Sequence, residues 1–139
     1  MKIVLDVNVI ISALIKDSIT REILVKSEHE FYFPISAKKK LKKYEELVLK
    51  KSGLTKNQLE TVMKGIYSNI NLVAGEKLQE QKKAAKKIMD HIDTEDTIFI
   101  ATALAITDAN IWSDDKHFKQ QKSIPVFKTE ELVELYKEE

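Results

Sequence analysis

Short apolar runs alternating with longer stretches of helical periodicity are the feature that most limits what this chain can fold into. The runs are Ile3-Val4-Leu5, Phe31-Tyr32-Phe33, Asn71-Leu72-Val73, Ile111-Trp112-Ser113 and Pro125-Val126-Phe127. Each has the length of a strand rather than a helix, and Pro34 closes the aromatic one. Between them lie Asn8 to Ile15 and Thr20 to Lys26, both read as helices. From Ser36 to Lys51, Leu41, Tyr44, Leu47 and Val48 recur at helical spacing, with Gly53 as the terminator. Thr55 to Gln58 carries the signature of a helix cap, and Leu59, Val62, Met63, Ile66, Tyr67 and Ile70 form one stripe behind it. Glu76 to Met89 reads as a Lys-rich amphipathic helix, Asp96 to Ile106 as a nearly all-apolar one, and Thr129 to Leu135 as a capped last helix with an acidic first turn. Strands alternating with helices in this way predict a parallel sheet covered on both faces. The expected fold is α/β: a three-layer α/β/α sandwich around a central, mostly parallel sheet of four to five strands.

At 139 residues the chain has enough material for one ordinary core and too little for two, so residues 1–139 are expected to form a single domain. Only three Gly and two Pro leave little room for long linkers. The absence of cysteine removes disulfides, thiolate ligands and a thiol nucleophile together. It is compatible with a reducing compartment, and since no stretch has the length of a membrane span, the expectation is a soluble, cytoplasmic protein. Net charge is only +1, but its distribution is uneven: residues 36–51 hold seven Lys against two Glu, and Lys82, Lys83, Lys86 and Lys87 add a second basic run. Either run reads equally well as a solvated helix face or as a phosphate-contacting surface.

Carboxylates at the ends of apolar elements point to chemistry. Asp6 follows the first strand directly, Asp114 and Asp115 follow the Trp112 strand, and Asp93 and Asp96 lie at the start of the apolar helix. In parallel sheets functional groups gather at the carboxyl ends of the strands. Carboxylates brought together there repel one another unless a cation or a shared proton relieves the charge. Asp96 also reads as a helix N-cap, Asp114 as a turn residue and Asp93 as a solvated loop charge. Asp6, between Leu5 and Val7, is the hardest to explain in structural terms alone.

Three blocks together make the chain resemble the PIN domain family of metal-dependent ribonucleases, which includes the toxins of many toxin–antitoxin pairs. They are Val4-Leu5-Asp6-Val7-Asn8, Asp93-Thr94-Glu95-Asp96 running on to Leu104, and Ile111-Trp112-Ser113-Asp114-Asp115-Lys116-His117-Phe118. The resemblance covers nearly the whole chain. It implies Asp6, Asp96 and Asp115 as catalytic metal-site carboxylates, with Asn8, Ser113, Asp93, Asp114 and Lys116 in support. It further implies Mg²⁺ or Mn²⁺ as cofactor, RNA as partner, and an antitoxin protein as a further one. Of the adjacent aspartates, Asp115 fits the family's Ser/Thr-x-Asp pattern better.

One position departs from that pattern. Where relatives carry an acid on the helix after the second strand, this chain has Lys40, before Leu41. Glu45 or Glu46 is the substitute within reach in sequence, although neither has the spacing that returns to the same helix face. Lys39, Lys40 and Lys43 instead suggest contacts to RNA phosphates. His117 reads as a packing or surface residue, and His29 and His91 have no partners at ligand spacing. The expected function is a Mg²⁺/Mn²⁺-dependent endoribonuclease acting on single-stranded or structured RNA, with a toxin role by analogy. The alternative is a PIN-like domain that binds RNA or a protein without cutting. Receiver domains and dehalogenase-type phosphatases fit less well, because Asp6 is followed by Val7-Asn8 and not by a second acid. The stripe from Leu59 to Tyr67 would serve a homodimer, with core packing as the favoured use.

Overall fold

The computed structural model describes residues 1–15 and 18–139. Strand β1 (Lys2–Leu5) leads to helices α1 (Val7–Ile15) and α2 (Ile19–Lys26), and β2 (Glu30–Pro34) to α3 (Lys38–Lys42), α4 (Glu45–Ser52) and α5 (Lys56–Tyr67). Strand β3 (Ile70–Val73) is followed by α6 (Lys82–Met89) and α7 (Thr97–Leu104), then by β4 (Ala109–Trp112), β5 (Val126–Phe127) and α8 (Thr129–Lys137). All strand pairings are parallel, in the order β3-β2-β1-β4-β5. This is the three-layer α/β/α sandwich expected from the alternation, with five strands.

The central position of β1 explains its unbroken apolar run. Ile3, Val4 and Leu5 are fully buried, since both faces of an inner parallel strand are covered. On one face α7 packs across β1, β2 and β4 and is covered in turn by α6. Helix α7 is therefore apolar on every side, with Phe99 to Ala103 buried, whereas α6 buries only Ala85 and Met89, one turn apart, and exposes its lysines. The other layer is built around α1, which contacts α2, α3, α4 and α5, while α2 contacts α8.

The strand order places a switch point beside β1. The chain moves outward through β2 and β3 on one side and returns through β4 and β5 on the other. Leu5 pairs with Trp112, so the residues just beyond them, Asp6 and Ser113, leave the sheet side by side at its carboxyl edge. A crevice opens at such a point because the two connections diverge to opposite faces.

Two helices differ from the sequence reading. The single helix expected over 36–51 is two helices, with a break at Lys43 and Tyr44, where Tyr44 has φ −98° and ψ 4°. No Gly or Pro marks the break. Leu41 and Val48 both bury their side chains, α3 and α4 each rest on α1, and Tyr44 and Leu47 turn outward. The helix expected over 76–89 begins as a 3-10 segment, Gly75–Gln81, which buries Leu78 before α6 starts. Gly53 does end α4, in the left-handed region at φ 72°, and its N–H donates to the Leu49 carbonyl. Thr55 and Gln58 form the anticipated capping box. In the apolar stripe of α5, Leu59 and Ile66 are buried and Val62, Met63 and Tyr67 pack against the same core. No helix among the described residues is long and apolar enough to cross a membrane.

Candidate metal centre

At the carboxyl edge of the sheet a continuous line of polar contacts joins the ends of β1 and β4. Asp6 is buried; its backbone N–H donates to the Trp112 carbonyl at 3.2 Å, which continues the β1/β4 ladder by one residue. The buried Ser113 hydroxyl donates to Asp6 Oδ2 at 2.8 Å and accepts from the Asp115 backbone N–H at 3.0 Å. Ser113 thus fixes the Asp6 carboxylate and the loop that carries Asp115 with one side chain. Asp115 Oδ1 in turn accepts the His117 backbone N–H at 2.9 Å, a turn in which an aspartate holds the chain two residues ahead.

That turn brings the His117 ring between two carboxylates. Its Nδ1 lies 3.3 Å from Asp115 Oδ1 and 3.5 Å from Asp93 Oδ2, and is buried without a hydrogen bond of good geometry. Asp93 is itself held by the start of the 3-10 turn before α7, accepting the Glu95 N–H at 2.9 Å. Ligand atoms of Asp93, Asp96 and His117 lie within 4.8 Å of one another. Asp96 is only 5% exposed, and its carboxylate has no hydrogen-bond or ion-pair partner among the described residues.

The electrostatics follow from this crowding. Burial is the main cause that pushes the Asp96 carboxyl up to about 7, with the negative charges of Asp93, Asp6 and Asp115 adding to it and Lys40 opposing. Burial also raises Asp6, and Asp115 adds to the rise; the Ser113 hydroxyl, the Asn8 backbone N–H and Lys40 offset only part of it. Lys40 is half-buried, with Nζ 3.3 Å from Glu95 Oε2. Burial acts to lower its pKa, but Glu95, Asp96 and Asp6 outweigh that and hold it above the ordinary lysine value.

The structure thus joins Asp6, Ser113 and Asp115 by hydrogen bonds and gathers Asp93 and Asp96 with His117 at ligand distance; Asp6 and Asp115 act on Asp96 through their charge but lie outside that close group, and Asn8 contributes through its backbone while its side chain faces solvent. His117 was legible only as the residue two places after an aspartate, the spacing of the turn that folds its ring back. Asp114 turns away: its carboxylate accepts the Thr129 N–H at 2.8 Å and the Thr129 hydroxyl at 2.6 Å, at the start of α8. Lys116 is exposed. Glu45 lines a separate hollow with Leu14, Leu41, Val48 and Met63, Glu46 faces solvent, and neither is among the charges acting on Asp6 or Asp96. Lys39, Lys40, Lys43 and Tyr44 line an open hollow floored by Ile98 and Phe99 and bordered by Glu95.

A parallel sheet with acidic residues gathered at its switch point defines an α/β protein of the acidic-centre type. A family model described as PIN domain matches residues 4–136, and the chain belongs to the PIN domain family. No curated protein and no solved structure gave a significant match. PIN domains are generally nucleases and usually use a divalent metal. The residues here fit such an ion: a carboxylate with no partner among the described residues lies among like charges, and the donors are oxygen with one imidazole, the set that Mg²⁺ and more readily Mn²⁺ accept.

Proposed function

We propose that this chain is a Mg²⁺- or Mn²⁺-dependent endoribonuclease, with Asp6, Asp96 and Asp115 holding the cation and Asp93 and His117 at its margin. The observation that carries this reading is Asp96, a residue only 5% exposed whose carboxylate stands among the charges of Asp93, Asp6 and Asp115 with no partner of its own among the described residues. Leaving such a group uncompensated destabilises the fold, and a divalent cation removes the penalty. When bound, the ion would polarise the scissile phosphate and increase the acidity of a water near it.

The other steps belong to the chain's own residues. Ser113 keeps Asp6 and the Asp115 loop in one arrangement, so the ligands need little reorganisation when the cation arrives. Lys39 and Lys43, exposed beside the centre, provide contacts for RNA phosphates, and Tyr44 offers a face for a base. The open hollow lined by Lys39, Lys40, Lys43, Tyr44 and Glu95 would admit an extended strand of RNA. A role as the toxin of a toxin–antitoxin pair, with an antitoxin protein as partner, is the biological setting that PIN membership suggests.

A second reading, binding of RNA or of a protein without cleavage, draws on Lys40, whose positive charge faces the carboxylates that would hold the cation. The two readings part in one experiment. Purified protein is incubated with single-stranded and hairpin RNA over a Mn²⁺ and Mg²⁺ titration, alongside Asp6→Asn and Asp96→Asn proteins of verified fold. Metal-dependent cutting abolished by both changes supports the ribonuclease. Binding without cutting at any metal concentration supports the second reading, and cutting that survives Asp6→Asn removes the assigned site.

A further inference from the structure

Lys40 stands beside the acidic centre. It projects from α3, a helix whose other lysines, Lys38, Lys39 and Lys42, are exposed, and it alone among them is half-buried. Its ammonium is held at 3.3 Å by Glu95, whose own side chain is 76% exposed, so the anchor stands on the solvent side. Glu95 adjoins Asp96 in the chain, and the lysine's charge acts on Asp96 and on Asp6 at once. Among the described residues, it is the one cation among the main charges acting on those two carboxylates. An ammonium is compact and carries three donors, so it matches the point charge of a small cation more closely than a guanidinium would.

Hydrolysis of a phosphodiester forms a P–O bond from water, breaks the P–O bond to the departing ribose and moves a proton from the water to that ribose oxygen. Negative charge grows on both sides of the phosphorus, which is why two positive centres flank it in two-metal sites. Here one such centre is already covalently attached, and a second divalent ion beside it would meet direct repulsion. We propose that Lys40 takes the place of a second divalent ion: the centre binds one cation per chain, and the Lys40 ammonium supplies the other positive charge facing the scissile phosphate. The phosphate half of this inference rests on the ribonuclease reading; the cation count does not.

The test is calorimetric titration of the metal-free intact chain with Mn²⁺, comparing wild type, Lys40→Gln and Lys40→Glu, each checked by thermal melting. We expect one Mn²⁺ per wild-type chain. Lys40→Gln should bind Mn²⁺ roughly tenfold more tightly, because a nearby positive charge has been removed, and yet cleave RNA more slowly at saturating Mn²⁺. Lys40→Glu, with a carboxylate in that place, should bind a second Mn²⁺. Two ions on the wild type, none on the wild type, or equal affinity of wild type and Lys40→Gln would each overturn the inference, as would Lys40→Gln cleaving as fast as wild type. If the predicted stoichiometry and affinity shift are found but no protein cuts RNA, the replacement of one ion by Lys40 stands and the ribonuclease reading falls.

Discussion

Asp96 is where the balance of this structure is most exposed to solution conditions. Its carboxyl moves from an ordinary 3.8 to about 7 on folding, mainly through burial, with the charges of Asp93 and Asp6 next in weight. Between those values the folded chain holds a proton that the unfolded chain has released. The unfolded state then binds fewer protons, so this residue's contribution to stability is fully present below about pH 4 and is lost as pH rises to about 7. Asp6, raised in the same sense, acts in the same direction. In a metal chelator the melting temperature of wild type should therefore fall, relative to Asp96→Asn, as pH is raised through that window. The difference between the two proteins, on the order of a few kcal/mol at the upper end, should close when Mn²⁺ is added to wild type. Parallel melting curves at all pH values would show that Asp96 is not under the strain described. The aspartate itself was legible in the sequence at the head of an apolar helix. Its isolation from any donor was not, because that depends on what α3 and the β4 loop leave unoccupied around it.

At the scale of elements, the two adjacent aspartates after β4 do different jobs. Asp115 turns inward through Ser113 and His117, while Asp114 receives both the N–H and the hydroxyl of Thr129 and so holds the first turn of α8. The Trp112 indole donates to the same Thr129 hydroxyl at 2.9 Å, which ties that turn to the buried end of β4. Asp114→Ala should cost about 1 kcal/mol of stability, the usual loss when a helix start loses its acceptor, and leave Mn²⁺ affinity unchanged. Asp115→Ala should weaken Mn²⁺ binding at least tenfold. Equal loss of metal affinity in both proteins would contradict this division, and paired thermal melts and titrations would reveal it. The sequence pattern preferred Asp115 over Asp114 by its spacing from Ser113, and Asp114 was also readable as a turn residue. The same pattern ran one helix from Ser36 to Lys51. The break at Tyr44 has no local signal, since residues 43 and 44 are compatible with a helix, and both segments rest on α1.

Over the whole molecule, a net charge of +1 gives RNA little long-range attraction, so affinity must come from local clustering beside the centre. Lys39 and Lys43 supply it in the hollow that Tyr44 and Glu95 share. Replacing both by Ala should weaken RNA binding and reduce the slope of log K against log salt by about 1.4 for a single strand, at roughly 0.7 for each phosphate contact. An unchanged slope in a filter-binding or anisotropy series would place the RNA elsewhere, for instance along the exposed lysines of α6. The sequence by itself determined the alternation of strands and helices, the apolar run Ile3-Val4-Leu5 of β1, the largely apolar character of α7, and the positions of Asp6 and Asp96 at element ends. These are local properties: burial demands apolar residues at a fixed period, and a carboxylate breaks that period wherever it falls. Only the tertiary structure decided that Leu5 pairs with Trp112, that the His117 ring meets Asp93, and that Lys40 meets Glu95 beside Asp96. Each of these is a distance between segments far apart in the chain, set by strand order and by the packing of α3 and α7. No spacing within one segment encodes it.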